Sequence, residues 1–464
     1  MASLKVKLKQ GTVHLLDQYF TGEFLNYRDI IRITIPILVD QAFIVIMSLL
    51  NTAMISSAGM AAVSAVNMVD SINIFLIQVF IAVATGGTVI VAQFKGKGNM
   101  EMVAKTTAQS IFVVSLFSIV LSVLMIVFNE SVLSLLFGSA EPVVLQNGKL
   151  YLIGSSLSYP FFAIYQAVTG ALRGVGDTKP VLGLSLMMNV LNTLLNVLFI
   201  TMLHLSITGL VISVLTARIL GMIASLIYLV KFNETIKFKI RNIFNLDFSI
   251  QKKVLFIGIP FAAEQLFFNG GKLLTQTFIV QLGTLAIATN AIANSFVLLL
   301  QVGPIALSIA IVTVVGQSLG RRNIADARKF VKSFNMLGAI LFIIAAAIVL
   351  PLFPLLIRLF NPAPEIIPSI FMLVLLCAVT QPLFWSQSFI LPSSLRAAGD
   401  STFTTITSLL TMWLIRVILG YVLGIVFGFG IIGVWSAMVI EWVIRGTIFI
   451  WRFRGDKWYA RELV

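Results

Sequence analysis

Eight ionisable residues lie inside long apolar stretches of this sequence, and they carry the most information about its function. A charged side chain is costly in hydrocarbon, so it pairs with an opposite charge, lines a polar cavity, or takes up and releases an ion. A carboxylate in such surroundings can bind a proton or a sodium ion, and basic groups can hold it ionised. The eight are Asp40, Asp70, Glu264, Glu441, Arg218, Lys272, Arg416 and Arg445.

Asp40 and Glu264 are the leading candidates for coupling to an ion gradient. Asp40 lies eight residues beyond the nearest basic residue, about 12 Å into a helix, and Glu264 lies eleven residues beyond its own, about 16 Å. Each follows a proline by four residues. At that depth a carboxylate needs a proton, a metal cation or a basic neighbour to offset its desolvation. The alternative interpretation is a structural carboxylate tied to a buried arginine.

Asparagines supply a second set of oxygen atoms. Asn189, Asn192 and Asn196 recur at intervals of three and four residues and therefore share one face of a helix. Buried amides either lock helices together or offer carbonyl oxygens to a hard cation, and the spacing does not separate these roles. Asn51, Asn192 and Asn196 are the prospective oxygen donors to a cation held by Asp40.

Three basic residues are interpreted as charge partners of buried acids. Arg218 is expected to bind a carboxylate or the carbonyls at a helix end. Lys272 lies two helical turns beyond Glu264, about 12 Å along the axis. Together with Arg416, it would keep Glu264 ionised without an added ion.

The remaining ionisable residues have simpler interpretations. Glu441 and Arg445 are four residues apart, a spacing that predicts an ordinary ion pair on one helix face. Asp70 lies near the end of its apolar stretch, where water could hydrate it.

Four further amides are predicted to contact a substrate. Amide groups orient an amphipathic molecule without the desolvation cost of a full charge. They lie on the first, second, seventh and eighth apolar stretches and are Gln41, Gln78, Gln265 and Asn294.

Other kinds of chemistry find no support in the sequence. It has no Gly-x-x-x-x-Gly-Lys-Ser/Thr loop, so we do not expect it to hydrolyse ATP. His14 and His204 lie outside the apolar stretches, and Cys377 is the one cysteine, which argues against a metal site or a disulfide. A channel-type ring of like charges is also missing. We therefore expect a secondary transporter driven by Na⁺ or H⁺, with no catalytic residue, no metal site and no cofactor.

The elements that carry these residues are predicted to be membrane helices. Of 464 residues, 59% are hydrophobic and 11% charged, whereas soluble proteins carry about a quarter charged residues. A crossing takes about 20 apolar residues, and the sequence predicts an all-α polytopic membrane protein with twelve such helices. The predicted spans are 33–55, 64–93, 106–128, 150–171, 181–203, 207–230, 254–281, 285–316, 333–353, 366–392, 403–426 and 430–451.

The basic residues between the spans lie mostly on one side. The N-terminal segment, the even-numbered connections and the C-terminal tail hold 26 Lys and Arg residues, and the other connections hold only Lys149 and Arg358. The positive-inside rule then predicts a multi-pass protein of the cell membrane with both termini in the cytoplasm. The basic excess is explained by anionic lipid rather than by nucleic acid. The segment 1–32 lacks the apolar core of a signal peptide.

The two halves of the sequence repeat each other. Residues 35–41 match residues 259–265 at an offset of 224, and residues 172–177 match residues 395–400 at 223. An even number of helices in each half makes these parallel repeats, with a cavity expected between two lobes that open on alternate sides. The predicted organisation is a cytoplasmic segment 1–32, an N-lobe 33–230, a cytoplasmic linker 231–253, a C-lobe 254–451 and a cytoplasmic tail 452–464.

Several motifs resemble those of the multidrug and toxic compound extrusion (MATE) family of exporters. They are residues 51–54, 86–93, 171–178, 315–320 and 433–458, and the resemblance covers essentially the whole chain. It implies two six-helix bundles around a central cavity. It also implies export of amphipathic, often cationic, drugs or toxic compounds in exchange for Na⁺ or H⁺.

Two positions depart from the family pattern. Members often carry an aspartate near the end of the first helix, where this sequence has Asn51, and some carry another in the fifth, at Asn196 here. Asp40 is then the deep acid of the N-lobe besides Asp70. Glu264 lies on the helix that carries a functional glutamate in some members, about one turn earlier.

Two other functions remain open. A flippase or exporter of a lipid-linked or other anionic metabolite would favour a cationic cavity, which Arg218, Lys272 and Arg416 could supply. A non-transporting receptor or scaffold would need a substantial soluble domain, and the longest polar stretch, 231–253, is short. In the leading hypothesis the partners are a small-molecule substrate and the lipid bilayer, with no nucleic acid, and the chain acts as a monomer.

Overall fold

The computed structural model describes residues 14–55, 60–138, 141–460 and 462–464, without the side chains of residues 48–55, 60 and 61. Within these ranges the chain is helical and contains no strand. Twelve long helices, α1–α12, follow the order of the predicted spans, which confirms the all-α polytopic fold. Their bounds are Tyr27–Ile55, Met60–Lys97, Met100–Val127, Pro142–Val175, Thr178–Met202, Ser206–Phe232, Phe248–Gln281, Thr284–Gly320, Ile324–Leu356, Ile367–Ala397, Ser401–Val426 and Gly430–Arg454.

Eleven of the helices in the described ranges are long and apolar enough to cross a bilayer. The long helix that falls outside these eleven is α4, because one glycine and three serines within residues 154–158 make its middle more polar. A short helix, Asn129–Phe137, precedes α4, and a 3₁₀ turn, Ile240–Ile243, precedes α7. Helices α5, α6 and α11 contain π-helical turns at their C-terminal ends, and α11 has a second one in its middle, Thr411–Val417.

Helix ends show the internal repeat in atomic detail. Helix α3 begins after Asn99 and α9 after Asn323, and each side chain accepts a hydrogen bond from the backbone N–H three residues on, at 3.0 and 2.9 Å. These two N-caps occupy equivalent positions in the two halves. Helices α4 and α10 end before Gly176 and Gly399, whose φ angles are 88° and 92°. Glycine adopts this left-handed conformation without the steric cost of a Cβ atom.

An aspartate after each of these glycines binds the last helix of its own half. Asp177 accepts hydrogen bonds from Asn233 at 2.9 Å and from the Tyr228 hydroxyl at 3.2 Å. Asp400 accepts two from Arg452, from Nε at 2.7 Å and Nη2 at 3.0 Å. The repeat is conserved in geometry here but not in charge, because a bidentate ion pair replaces two neutral donors.

The chain divides into two compact units, and each boundary lies inside a helix. The first unit is Met1–Gln41 with Leu266–Val464, and the second is Ala42–Gln265. The two boundaries fall at equivalent positions of the repeat, within α1 and α7. In the second unit α4 packs against α2, α3 and α6, and in the first unit α10 packs against α8, α9 and α12.

In the first unit, the residues that precede α1 pack on α9. Ser333 donates a hydrogen bond to the carbonyl of Tyr19 at 2.6 Å, and Lys329 donates to that of Thr21 at 2.6 Å. The rings of Phe20 and Phe334 meet edge to face at 5.9 Å. A segment from the start of the sequence thereby completes a unit built mainly from its second half.

In the second unit, the residues just before α7 and in its first turn pack on α3 in the same way. Gln109 donates to the carbonyl of Asn245 at 2.9 Å and accepts from Gln251 at 2.7 Å. Lys105 pairs with Asp247 at 2.6 Å, and its hydrogen bond holds the pKa of that carboxyl below its usual value. We call residues 19–23 and 242–251 the exchanged segments.

Candidate ion-coupling and substrate sites

The second unit contains a polar network, the Asp70 cluster, in which Asp70 and Arg218 are half-buried and Asn73, Tyr151 and Tyr159 are buried. Asp70 accepts hydrogen bonds from the Tyr151 hydroxyl at 2.8 Å and from Asn73 Nδ2 at 3.1 Å. Tyr159 donates to Asn73 Oδ1 at 2.6 Å. The network therefore ties α2 to α4 through a chain of directed hydrogen bonds.

Arg218 on α6 completes the Asp70 cluster. Its Nη1 donates to the Ser158 hydroxyl at 2.7 Å, and its guanidinium carbon lies 4.8 Å from the centre of the Phe162 ring. It is near enough to Asp70 to interact electrostatically. The arginine thus meets a hydroxyl directly and a carboxylate at longer range, and the two charges of the cluster balance.

Sequence reasoning missed most of this network. It treated Asp70 as a hydrated residue and did not single out Asn73, Tyr151 or Tyr159. A tyrosine in an apolar stretch counts as hydrophobic, so its hydroxyl is not noticed. The available signal was spacing, because Tyr151 and Tyr159 are eight residues apart and lie on one face of α4.

The first unit contains a second group, the Lys272 cluster, formed by Lys272, Arg416, Glu441 and Arg445 on α7, α11 and α12. Arg445 Nη1 pairs with Glu441 Oε1 at 2.9 Å, and the side chains are 2% and 0% exposed, which confirms the ion pair predicted from their spacing. Lys272 and Arg416 both interact electrostatically with this pair. Three cations share one carboxylate, so the formal charge of the cluster is +2.

Aromatic rings lie against the cations of the Lys272 cluster. Lys272 Nζ is 4.9 Å from the ring centre of Phe268, and the guanidinium carbon of Arg445 is 5.3 Å from that ring and 4.3 Å from Phe389. Phe389 also stacks on Trp385, with ring centres 4.4 Å apart. Cation–π contacts of this kind stabilise a cation that has been removed from water.

Asp40 and Glu264, the two acids placed deepest by the sequence, are both buried. Asp40 on α1 is 2% exposed and Glu264 on α7 is 8% exposed, at equivalent positions of the repeat. Asp40 belongs to the first unit and Glu264 to the second. The amides predicted as partners of Asp40 belong to the second unit and the basic partners predicted for Glu264 to the first, so both groupings stay predictions.

The predicted oxygen donors lie on α1 and α5. Asn196 is buried and Asn192 half-buried, and no described residue donates a hydrogen bond to Oδ1 of Asn192. Asn189 donates to the carbonyl of Ser185 on its own helix at 2.9 Å. The side chain of Asn51 lies outside the described residues.

The four amides predicted to contact substrate differ in exposure. Gln41, Gln78 and Gln265 are half-buried, and Asn294 on α8 is exposed. Asn294 donates to the carbonyl of Asn290 one turn earlier at 2.9 Å, which leaves its amide oxygen for other partners.

Asn290 is a structural amide that sequence reasoning did not identify. It is buried, donates to Gln276 Oε1 on α7 at 3.0 Å, and accepts from Trp435 Nε1 on α12 at 3.0 Å. Asn290 bonds to two other helices, whereas Asn294 bonds within its own helix. The sequence does not distinguish them, since both are asparagines on one face of α8, one turn apart.

The described residues do not form a cluster of metal ligands. Among the described residues, no three His, Cys, Asp or Glu side chains are grouped so as to hold a metal ion. Cys377 is buried and carries a free thiol. The eight ionisable residues of the apolar stretches comprise the buried carboxylates of Asp40 and Glu264 and the charged members of the charge-balanced Asp70 cluster and the cationic Lys272 cluster.

Comparison with known proteins matches both halves of the chain. The MatE family model matches residues 36–198 and 260–422, one segment in each half. "Uncharacterized transporter YisQ" of Bacillus subtilis (strain 168) is 28% identical over 443 residues, 93% of this chain and 95% of that protein. "Probable multidrug resistance protein NorM" of Thermotoga maritima is 25% identical over 446 residues, 94% of each chain.

Solved structures share the fold. One, described as "Outward-facing conformation of a multidrug resistance MATE family transporter of the MOP superfamily", has a TM-score of 0.85 over 92% of this chain and 95% of that chain, at 17% identity. The double match to one family model agrees with the internal repeat seen in the helix caps.

Proposed function

Because this chain belongs to the MatE family of membrane transporters, we propose that it is an antiporter that exports amphipathic, often cationic, compounds in exchange for Na⁺ or H⁺. The names of relatives support this cargo, since NorM and MdtK proteins are described as multidrug resistance proteins. The observation that carries the exchange is the placement of Asp40 and Glu264, buried at repeat-related positions in the two units.

Antiport needs a group whose affinity for ion and cargo differs between two conformations, because equal affinity shifts no equilibrium. A buried carboxylate meets this need. In its ionised form it attracts a cationic cargo, and with a proton or Na⁺ bound it is neutral and releases that cargo. The ion is then a transported substrate, and no resident cofactor is required. We further propose a monomer in the cell membrane, with both termini in the cytoplasm.

The test is ethidium efflux by purified protein in lipid vesicles, with Na⁺ and pH gradients imposed separately. Asp40→Asn and Glu264→Gln are each expected to abolish gradient-driven efflux, since neither amide can exchange a proton or neutralise a cation. Glu130→Gln is the matched control and retains efflux, because Glu130 is an exposed carboxylate that pairs with Lys149. Size-exclusion elution checks that each variant is folded.

The two gradients give separate answers. If the unsubstituted protein drives efflux under only one of the two gradients, the ion of that gradient is the coupling ion. Full activity of Asp40→Asn under both gradients would return Asp40 to a structural role and remove the N-terminal half from the coupling mechanism.

A further inference from the structure

Arg445 presents a hydrogen-bonding edge that no described residue uses. The residue is 1% exposed, its Nη1 is paired with Glu441, and neither Nε nor Nη2 has a bonded partner among the described residues. These two nitrogens form the side of the planar guanidinium that binds both oxygens of a carboxylate or phosphate in parallel. Buried donors without a partner are costly, and an oxoanion is the ligand this edge fits.

The charge of the Lys272 cluster favours the same ligand. Lys272, Arg416 and Arg445 share one carboxylate, and Glu441 uses only one of its oxygens, since no described residue is bonded to Oε2. Charges at this depth persist when they are paired. A bound anion would reduce the surplus from +2 to +1. The Asp70 cluster of the other unit, with one acid and one base, has no such surplus.

Lys272 is the most exposed cation of the Lys272 cluster. Its side chain is exposed, unlike those of Arg445 and Glu441. The ring of Phe268 lies against both the Lys272 ammonium and the Arg445 guanidinium, so the accessible and the buried cation are neighbours. An anion therefore meets Lys272 first, and it reaches the buried Arg445 edge only by displacing adjacent side chains.

Helix α10 contributes a neutral polar group. Gln381 is fully buried, and neither of its amide atoms has a hydrogen-bond partner among the described residues. It lies four residues before Trp385 and eight before Phe389, whose ring contacts the Arg445 guanidinium. Helical spacing therefore places Gln381 on the face of α10 that carries these two rings.

We propose that the Lys272 cluster binds the carboxylate of an amphipathic aromatic acid. The carboxylate pairs with Lys272 and with Nε and Nη2 of Arg445, and the aromatic part of the ligand lies against Phe268 and Phe389. A bare halide would not use the parallel edge of the guanidinium, and a purely aliphatic anion would not use the rings. Binding stands on these residues alone, whereas transport of the acid rests on the proposed antiport.

The test is titration calorimetry of 2-naphthoate with the purified full-length protein in neutral detergent, beside its uncharged analogue 2-naphthamide. Naphthoate is expected to bind at least about tenfold more tightly than the amide, as hydrogen bonds to charged groups imply. Lys272→Gln removes the accessible charge, and Arg445→Lys keeps the charge but removes the parallel edge. Each is expected to weaken naphthoate binding about tenfold.

A third variant changes binding in the opposite direction. Glu441→Gln removes the competing carboxylate and is expected to tighten naphthoate binding about threefold, as the loss of a like charge predicts. Lys149→Gln removes a lysine of a surface ion pair on α4 and is the matched control that leaves binding unchanged. Equal binding of naphthoate and naphthamide, or unchanged binding in both Lys272→Gln and Arg445→Lys, overturns the proposal.

Two further measurements distinguish an aromatic acid from a lipid headgroup, and failure of this inference from failure of the proposed function. Phosphatidylglycerol added to the micelles should leave naphthoate affinity unchanged. If the lipid displaces naphthoate and the displacement depends on Lys272, the site belongs to a lipid headgroup and the proposal is overturned.

Because naphthoate binding is measured without an ion gradient, it is independent of antiport. Coupled ethidium efflux without naphthoate binding leaves the proposed function and removes this inference, and naphthoate binding without coupled efflux does the reverse.

Discussion

The hydroxyl of Tyr151 is one of two donors that hold the half-buried carboxylate of Asp70. Tyr151→Phe leaves Asp70 one hydrogen bond short, so we expect the free energy of unfolding to fall by about 1–3 kcal/mol, measured by thermal unfolding in detergent. Tyr459→Phe is the matched control, since it removes a hydroxyl that donates to Asp456 at the surface, and should cost less than about 0.5 kcal/mol. Similar small losses in both variants would show that the Asp70 cluster does not hold α2 and α4 together.

Single residues also show what sequence reasoning can and cannot reach. The depth of Asp40 and Glu264 in apolar stretches predicted their burial, and the four-residue spacing of Glu441 and Arg445 predicted their ion pair. Arg416 was grouped with Lys272, but the neighbouring Glu441, Arg445 and Phe268 were not predicted to lie beside it. Glu441 and Arg445 lie on α12, far from α7 in the sequence, and the spacing of residues along one helix carries no information about which other helix it meets.

At the scale of elements, the turn after α10 is held by a charged clamp that the turn after α4 lacks. Asp400→Asn breaks the bidentate pair with Arg452, and we expect unfolding to become easier by about 1–3 kcal/mol in detergent thermal unfolding. Asp456 has an exposed carboxylate that pairs with Arg328. Asp456→Asn should therefore change the free energy of unfolding by less than about 0.5 kcal/mol. An effect of Asp400→Asn no larger than that of Asp456→Asn would mean that the turn is held by its backbone alone.

The predicted spans identified all twelve long helices but not where they end. The span 333–353 corresponds to α9, which starts at Ile324, because Asn323 caps it and charged turns continue the helix beyond the apolar core. Hydropathy marks only the part of a helix in hydrocarbon. The π-helical turns of α5, α6 and α11 were also unpredicted, since an extra residue in a turn depends on packing rather than on composition.

At the scale of the whole molecule, the distribution of basic residues predicts the orientation in the membrane. Ala363 between α9 and α10 and Ser249 at the start of α7 are both exposed, so each tolerates a cysteine. In intact cells, Ala363→Cys should react with a membrane-impermeant maleimide, and Ser249→Cys should react only after permeabilisation. Cys377 is buried and serves as the internal blank. Reversed labelling would invert both the topology and the direction of export.

The exchanged segments have a consequence for how such a chain can arise and diversify. A polypeptide made of one half alone would leave the third helix of its bundle without the stretch of chain that α3 and α9 each receive here from the other half. Two identical copies could satisfy each other only by trading these ends, as a swapped homodimer. Joining the copies in one gene makes the partnership permanent and allows the halves to stop being identical. In this chain one half carries the charge-balanced Asp70 cluster and the other the cationic Lys272 cluster, a difference that two identical copies could not have.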